Sequence, residues 1–538
     1  MKMKQKMILC ILIGFCLFAF PSHAAVYHID PSAKINGTGT ANSPYQQWSD
    51  LPKMQKGDDV FFKCNTSYKP DGYIDISWGG TSNNPVIIGA YYMAGKSPVY
   101  GVSGKRPLIS GSNYTVPSNS CFGSYDSWAG LITVRSKDFI HIKNLHLYQS
   151  GYMGISIKGD LNSGTNAAHF LIQNVRIQGS YWNGILINTN PKNYGVIEDS
   201  EVEGASYAWV ERCTKGFTGA LTIANSSFAN TTIRRNYVHN NWGEGIGSNR
   251  IPCSVETDNS GHATIEDNIV WNNRRVDIYS DRTEHNIIRR NLLFGLNDSR
   301  FASLEKDDRA WNQYGIWINV EHVDSRGSCP DVSHDNQVYN NVVAGHYVGI
   351  GVASDYTSGV MKNNVFYNNT LIANKINLSV GSKLAGYATN NIEFRNNVSY
   401  CPDDSICNDV SGDPAWFDKK IIADYNAWTD IPKNWGGPND LLTNNNWGKT
   451  RGWQALKTIP TIEEFMPTIG NPVIDGGDAL PNAFNSAISI NQSKYQIAPL
   501  DISVSTISQN ANRSDPWDMG AVPYQSQLNA PRLRVVNN

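Results

Sequence analysis

The chain has 538 residues, a formal net charge of −2 and only 17 % charged residues. A balance so near neutral gives no electrostatic footprint for a nucleic-acid partner. The length exceeds what one compact core usually supports, though not what stacked coils can reach.

The first residues read as a targeting segment. Lys2, Lys4 and Lys6 precede an apolar run over 7–20, too short to span a bilayer, and Pro21-Ser22-His23-Ala24 carries the small residues of a cleavage site. Cleavage is expected after Ala24, which leaves a periplasmic or secreted mature protein. No later apolar run approaches membrane length, so no membrane span is expected, and the mature chain is expected to be a monomer. Cys10 and Cys16 leave with the signal. Cys64, Cys121, Cys213, Cys253, Cys329, Cys401 and Cys407 remain, an odd set for an oxidising compartment. Cys401 and Cys407 flank a short polar loop and are the expected bridge.

Residues 25–106 are expected to form an N-terminal cap and the first, irregular coils. A strand over 26–30, a Gly/Thr/Asn/Ser-rich loop, a short helix over 48–54, a strand over 57–62, a turn over 81–85 and a strand over 86–88 are expected. Such a segment would cover the open end of a solenoid, where an exposed strand edge invites aggregation.

From about 107 to 400 one unit repeats, shown most plainly over 232–283. Thr232-Ile233-Arg234-Arg235-Asn236-Tyr237-Val238 then Gly243-Glu244-Gly245-Ile246-Gly247-Ser248 is followed by Thr264-Ile265-Glu266-Asp267-Asn268-Ile269-Val270 then Arg275-Val276-Asp277-Ile278-Tyr279-Ser280. Each copy is a short apolar strand ending near an Asn, a bend, and a second strand centred on Ile. The central residue recurs as Ile155, Ile185, Leu221, Ile246, Ile278, Ile316, Ile350 and Leu378, at intervals of about 25–38 residues, which is solenoid spacing. The Asn recurs as Asn236, Asn268, Asn291, Asn341, Asn369 and Asn397, a column that can tolerate left-handed backbone and bond from coil to coil. The fold expected is an all-β, right-handed, single-stranded parallel β-helix with an N-terminal cap. Beyond Cys401 the pattern fades into loops rich in Asn, Trp and Gly over 401–528, with a frayed tail over 529–538.

Val26–Asp30, the Gly-rich loop, Gly57-Asp58-Asp59-Val60-Phe61-Phe62 and Asn83-Asn84-Pro85-Val86-Ile87-Ile88 resemble the entry segment of exported bacterial right-handed β-helix proteins of the pectate-lyase-like superfamily. The Ile/Asn coils are similar to that superfamily's repeats, and Asp424-Tyr425-Asn426-Ala427-Trp428 and Asp518-Met519-Gly520-Ala521-Val522 to its closing segments. The resemblance implies fold; the superfamily spans polysaccharide lyases, glycoside hydrolases, uronate epimerases and coils without chemistry.

With the stacked Ile pointing inward, residues one before, one after and three after it are expected outward. Most of these are Gly, Asn or small. One coil instead offers Asp277, Tyr279 and Asp281, and the edges add Glu244, Arg250, Arg282, Glu321 and His322, with Trp242 and Trp317 as sugar-stacking faces beside Asn319. The first reading is a polysaccharide lyase or C5-epimerase on an anionic, uronate-containing polymer. There, arginine or Ca²⁺ held by Asp277 and Asp281 would neutralise the substrate carboxylate, and Tyr279 or an arginine would be the base, with His322 as the next choice. The second is a glycoside hydrolase pairing Glu244 with Asp277 or Asp281. The third is a coil that binds polysaccharide without cleaving it. Outward acids and arginines are also common as a solvated face. Arg234-Arg235 and Arg289-Arg290 beside Glu266-Asp267 are expected to be purely structural, and His239, His262 and His346 to serve their turns.

Overall fold

The structure is a computed structural model and describes residues 24–112, 129–159, 167–189, 193–206, 219–224, 229–249, 263–295, 313–321, 332–354, 360–381, 391–402, 407–412, 421–433 and 435–443, with short pieces thereafter. The expected signal peptide lies outside the described residues, as do Arg250, His262, His322, Cys121, Cys213, Cys253 and Cys329.

Each coil contributes one short strand to each of three parallel sheets. Among the described residues these sheets contain 14, 13 and 11 strands, and successive members come from successive coils, except Ser97–Tyr100, which pairs antiparallel with Val86–Ala94 in the first sheet. The described part of the coil that carries Ile278 runs from Thr264–Glu266 in the first sheet through Ile269–Trp271 in the second to Val276–Asp281 in the third. Among the described residues the only helix is a single 3-10 turn, Trp48–Asp50, shorter than the helix expected over 48–54. Strands Val26–Ile29, Asp59–Lys63 and Val86–Ala94 already belong to the first sheet, so the ladder begins well ahead of residue 107.

The Ile column stacks as its spacing requires. Ile155, Ile185, Leu221, Ile246, Ile278, Ile316, Ile350 and Leu378 are successive register partners, and none is more than 2 % exposed. Burial of each such side chain contributes roughly 1.5–3 kcal/mol, a gain open to a strand only when coils lie above and below it. Two places further on, Ile157, Ile187 and Ile223 give way to Ser248 and Ser280 before Ile318 and Val352 resume. The Asn286 side-chain amide donates to both serine hydroxyls, at 3.0 and 3.2 Å, so this polar interruption is satisfied internally.

The Asn column is a hydrogen-bond ladder. The Asn236 backbone N–H and side-chain amide both donate to Asn268 Oδ1, at 3.0 and 3.1 Å. The same pair of bonds joins Asn268 to Asn291, Asn291 to Asn341, Asn341 to Asn369, Asn369 to Asn397 and Asn397 to Asn426. The left-handed backbone falls one residue earlier than expected, on Arg235, Asp267, Arg290, Asn340, Asn368 and Asn396, whose φ values are 51–57°. That residue makes the bend, which leaves the Asn side chain free to face the next coil.

The paired arginines are structural. Arg235 Nε lies 2.8 Å from Asp199 and Arg290 Nε 2.8 Å from Asp267, while Arg234 and Arg289 hold Glu198 and Glu266 on the preceding coils. Cys401 and Cys407 form a disulfide, and Cys64 is buried and free. No helix of the described residues is long and apolar enough to cross a membrane.

Candidate active site on the third sheet

The residue before each stacked Ile does not face outward. A Cβ built on Gly184 would lie 2.4 Å from Val202 Cγ1, and one on Gly315 would lie 2.2 Å from Val343 Cγ1, both in the core beneath the second sheet. At this point the chain is still turning the corner between sheets, and the two-residue alternation of a strand begins only afterwards. Asp277 occupies this position. Its carboxylate is therefore inside the wall, 2.8 Å from His346 Nε2 and accepting the Asn273 amide at 2.7 Å, with Asp277 2 % and His346 1 % exposed. Burial pushes the Asp277 carboxyl up, and His346 and Asn273 oppose that. His346 comes from two coils away in the third-sheet order.

The residues after Ile do face outward, as expected. Tyr279 lies between Gly247 and Trp317 in register, and Asp281 between Asn249 and Asn319. Because Gly247 has no side chain, the Glu244 carboxylate folds over it. A Cβ at Gly247 would lie 3.3 Å from Glu244 Oε2. Trp317 lies across Gly351 on the following coil, where a Cβ would fall within its ring, and its ring centroid is 4.4 Å from that of Tyr314.

These side chains form one cluster of acids around a phenol. The Tyr279 hydroxyl donates to the Glu321 carboxylate and accepts the Asn319 amide at 3.3 Å. Asp281 accepts the Glu321 backbone N–H at 2.9 Å and is held by Arg282 through contacts of 3.0 and 2.9 Å. Burial pushes the Asp281 carboxyl up to about 7 against the pull of Arg282, with repulsion from Glu321 adding to the rise. Glu244 keeps some solvent exposure, yet the surrounding protein and the charges of Glu321 and Asp281 raise its carboxyl to about 8, opposed by Arg275. Tyr279 is driven well above its ordinary value by burial and then by Asp281, Glu321 and Glu244. Carboxyls so coupled titrate as a group, and near neutral pH the set retains a proton that ordinary glutamate and aspartate would have lost.

The structure thus brings together Glu244, Tyr279, Asp281, Arg282, Trp317, Asn319 and Glu321. Asp277 is not among them. The Asp277 carboxylate is committed to His346 and Asn273 and that of Asp281 to Arg282 and the Glu321 N–H, and neither belongs to a group of three or more converging metal donors among the described residues. Trp242 sits at the corner before the Glu244 strand, where its backbone N–H donates to Ala205 O. Sequence reasoning missed Arg275 and the His346 side chain. Arg275 stands three residues before Ile278, at the corner position that Gly243 holds before Ile246, and that spacing was available in the sequence.

A family model described as a right-handed β-helix region matches residues 153–329. The fold is a right-handed parallel β-helix. None of the curated proteins compared with this chain matches. Among solved structures, this β-helix is similar to a pectate lyase, Pel9A, at 14 % identity over 85 % of this chain and 92 % of that one, with a TM-score of 0.45. It is also similar to a PL6 family alginate lyase, AlyGC, at 12 % identity over 82 % of this chain and 58 % of that one, with a TM-score of 0.46. A GH136 lacto-N-biosidase from Eubacterium ramulus aligns at 13 % identity over 75 % of this chain and 68 % of that one, with a TM-score of 0.40.

Proposed function

We propose that this β-helix is a carbohydrate-active enzyme that hydrolyses a polysaccharide laid across the outer face of the third sheet. The observation that carries the reading is the gathering of Glu244, Asp281 and Glu321 around the Tyr279 hydroxyl, where burial and mutual repulsion raise Glu244 to about 8 and Asp281 to about 7. Glycoside hydrolysis needs one carboxylic acid that still holds its proton to give to the departing oxygen, and one carboxylate to act as nucleophile or to activate water. Glu244 has the higher value and takes the acid role. Asp281, oriented by Arg282 and the Glu321 N–H, takes the carboxylate role. The Trp317 ring is an apolar surface on which a neighbouring sugar can stack, and Asn319 supplies a neutral hydrogen-bonding group.

The second reading is β-elimination or C5-epimerisation at a uronate, and Arg275 and Arg282 on the same rim favour it. Against it, Arg282 is committed to Asp281, and a phenol ringed by three carboxylates resists the ionisation a base requires. The acidic floor suits a neutral polysaccharide better than the anionic polymer expected from sequence. The test is a panel of neutral and uronate-containing polysaccharides assayed for both kinds of product. Hydrolysis gives new reducing ends without ultraviolet absorbance, whereas elimination gives an absorbing unsaturated end. Absorbance rising with every cut would replace the first reading by the second.

A further inference from the structure

The corner that follows the active strand carries a second cluster, which the proposed reaction does not use. Residues 282–286 connect Val276–Asp281 to Ile287–Arg289, and the adjacent coil brings Val332–His334 alongside. The His334 N–H donates to Thr283 O and the His285 N–H to His334 O, both at 3.1 Å, and the Asp335 N–H donates to Lys362 O at 3.1 Å. His285 and Asp335 have left-handed backbone, with φ of 57° and 54°. These constraints fix where the three side chains start.

The side chains converge. One ligand atom from each of His285, His334 and Asp335 lies within 4.8 Å of the others, and all three residues are half-buried. The two imidazoles meet edge to face, with centroids 5.6 Å apart. His334 Nδ1 is 2.5 Å from Asp335 Oδ2, and its other nitrogen, Nε2, is 2.9 Å from Glu284 Oε2. A carboxylate on the far nitrogen of a histidine is the arrangement that orients a metal-binding imidazole. A second group, Glu201, Glu203 and His239, also converges, but Arg176 already occupies its carboxylates at 3.2 and 2.5 Å. Among the described residues, no arginine or lysine side chain pairs with Asp335 in that way; its ion-pair partner is His334 itself.

We propose that His285, His334 and Asp335 bind a zinc-class divalent cation, with Glu284 orienting His334 from behind and one coordination position left to water. Two imidazole nitrogens and one carboxylate oxygen suit zinc, whose donors at about 2.0–2.2 Å from the ion lie roughly 3.3 Å apart in a tetrahedron. The His334–Asp335 contact is shorter than that spacing, and small side-chain rotations open it. The ion would tie two coils together at the corner that begins with Arg282, the residue holding Asp281.

The test uses the full mature chain, stripped of metal with a chelator and titrated calorimetrically with Zn²⁺. The variants are His285→Asn and Asp335→Asn, since Asn tolerates the left-handed backbone at both positions, with His239→Gln as the control. Circular dichroism establishes that each is folded. The wild type and His239→Gln are expected to bind one Zn²⁺ that each corner variant binds at least tenfold more weakly. Co²⁺ in its place should give visible tetrahedral bands that the corner variants lack. Absence of uptake by the wild type, unchanged affinity in both corner variants, or loss confined to His239→Gln would each overturn the assignment. None of these outcomes depends on whether the acid cluster hydrolyses a polysaccharide.

Discussion

Replacing Glu244 with Gln removes a carboxyl that folding shifts from 4.5 to about 8. The folded chain therefore holds this proton more tightly than the unfolded chain. Stability from this group is fully present below about pH 4.5 and is lost as the pH rises through about 8. At roughly 1.4 kcal/mol per pKa unit, the full shift amounts to about 5 kcal/mol. Partial exposure of Glu244 reduces the working figure to about 2–4 kcal/mol. Glu244→Gln keeps the shape and lacks the ionisation. It should differ little from the wild type at pH 4 and be more stable than it by that amount at pH 9. Guanidinium unfolding of both proteins at the two pH values reads this directly. A stability difference that does not change with pH, or a wild type favoured at pH 9, would refute the claim that neighbouring acids and burial hold Glu244 protonated.

Three further outcomes follow from the geometry. Asp277→Ala should cost about 3–5 kcal/mol in a urea unfolding assay, because it strands His346 inside the wall; unchanged stability would show that the buried pair is dispensable. Asn268→Ala breaks the ladder on both sides and should cost roughly 2–4 kcal/mol by the same assay, since it leaves the Asn236 N–H buried without its acceptor. Trp317→Ala should raise KM about tenfold, equivalent to about 1.4 kcal/mol, with kcat little changed; a fall in kcat alone would remove Trp317 from the sugar-stacking role.

Much of the architecture was legible because a solenoid writes its contacts into sequence spacing. Ile246, Ile278 and Ile316 are neighbours in space for the same reason that they recur along the chain, and Asn236, Asn268 and Asn291 show their ladder in the same way. Tyr279 and Asp281 could be placed outside because strand alternation has begun by then. Asp277 could not, because alternation had been extended back into a corner where it does not apply. The correcting signal was the run of Gly184, Ala220, Gly245, Gly315 and Gly349 at the same register. A column so uniformly small marks an enclosed position, not an open groove floor. His346 is 69 residues from Asp277, and no local pattern joins them. The first coils look irregular in sequence because strands such as Asp59–Lys63 follow long irregular links, which hide the period but not the pairing.

The dependence of kcat/KM on pH, measured on a cleaved polysaccharide for the wild type, Glu244→Gln and Asp281→Asn, bears most directly on the outer-face acid pair as the catalytic centre. The wild type should give a bell with limbs near 7 and 8, from a carboxylate that must be ionised and an acid that must not be. Glu244→Gln should abolish the alkaline limb along with most of the rate, and Asp281→Asn the acidic limb. Full activity in both variants, with the wild-type profile intact, would place the chemistry on another face of the β-helix.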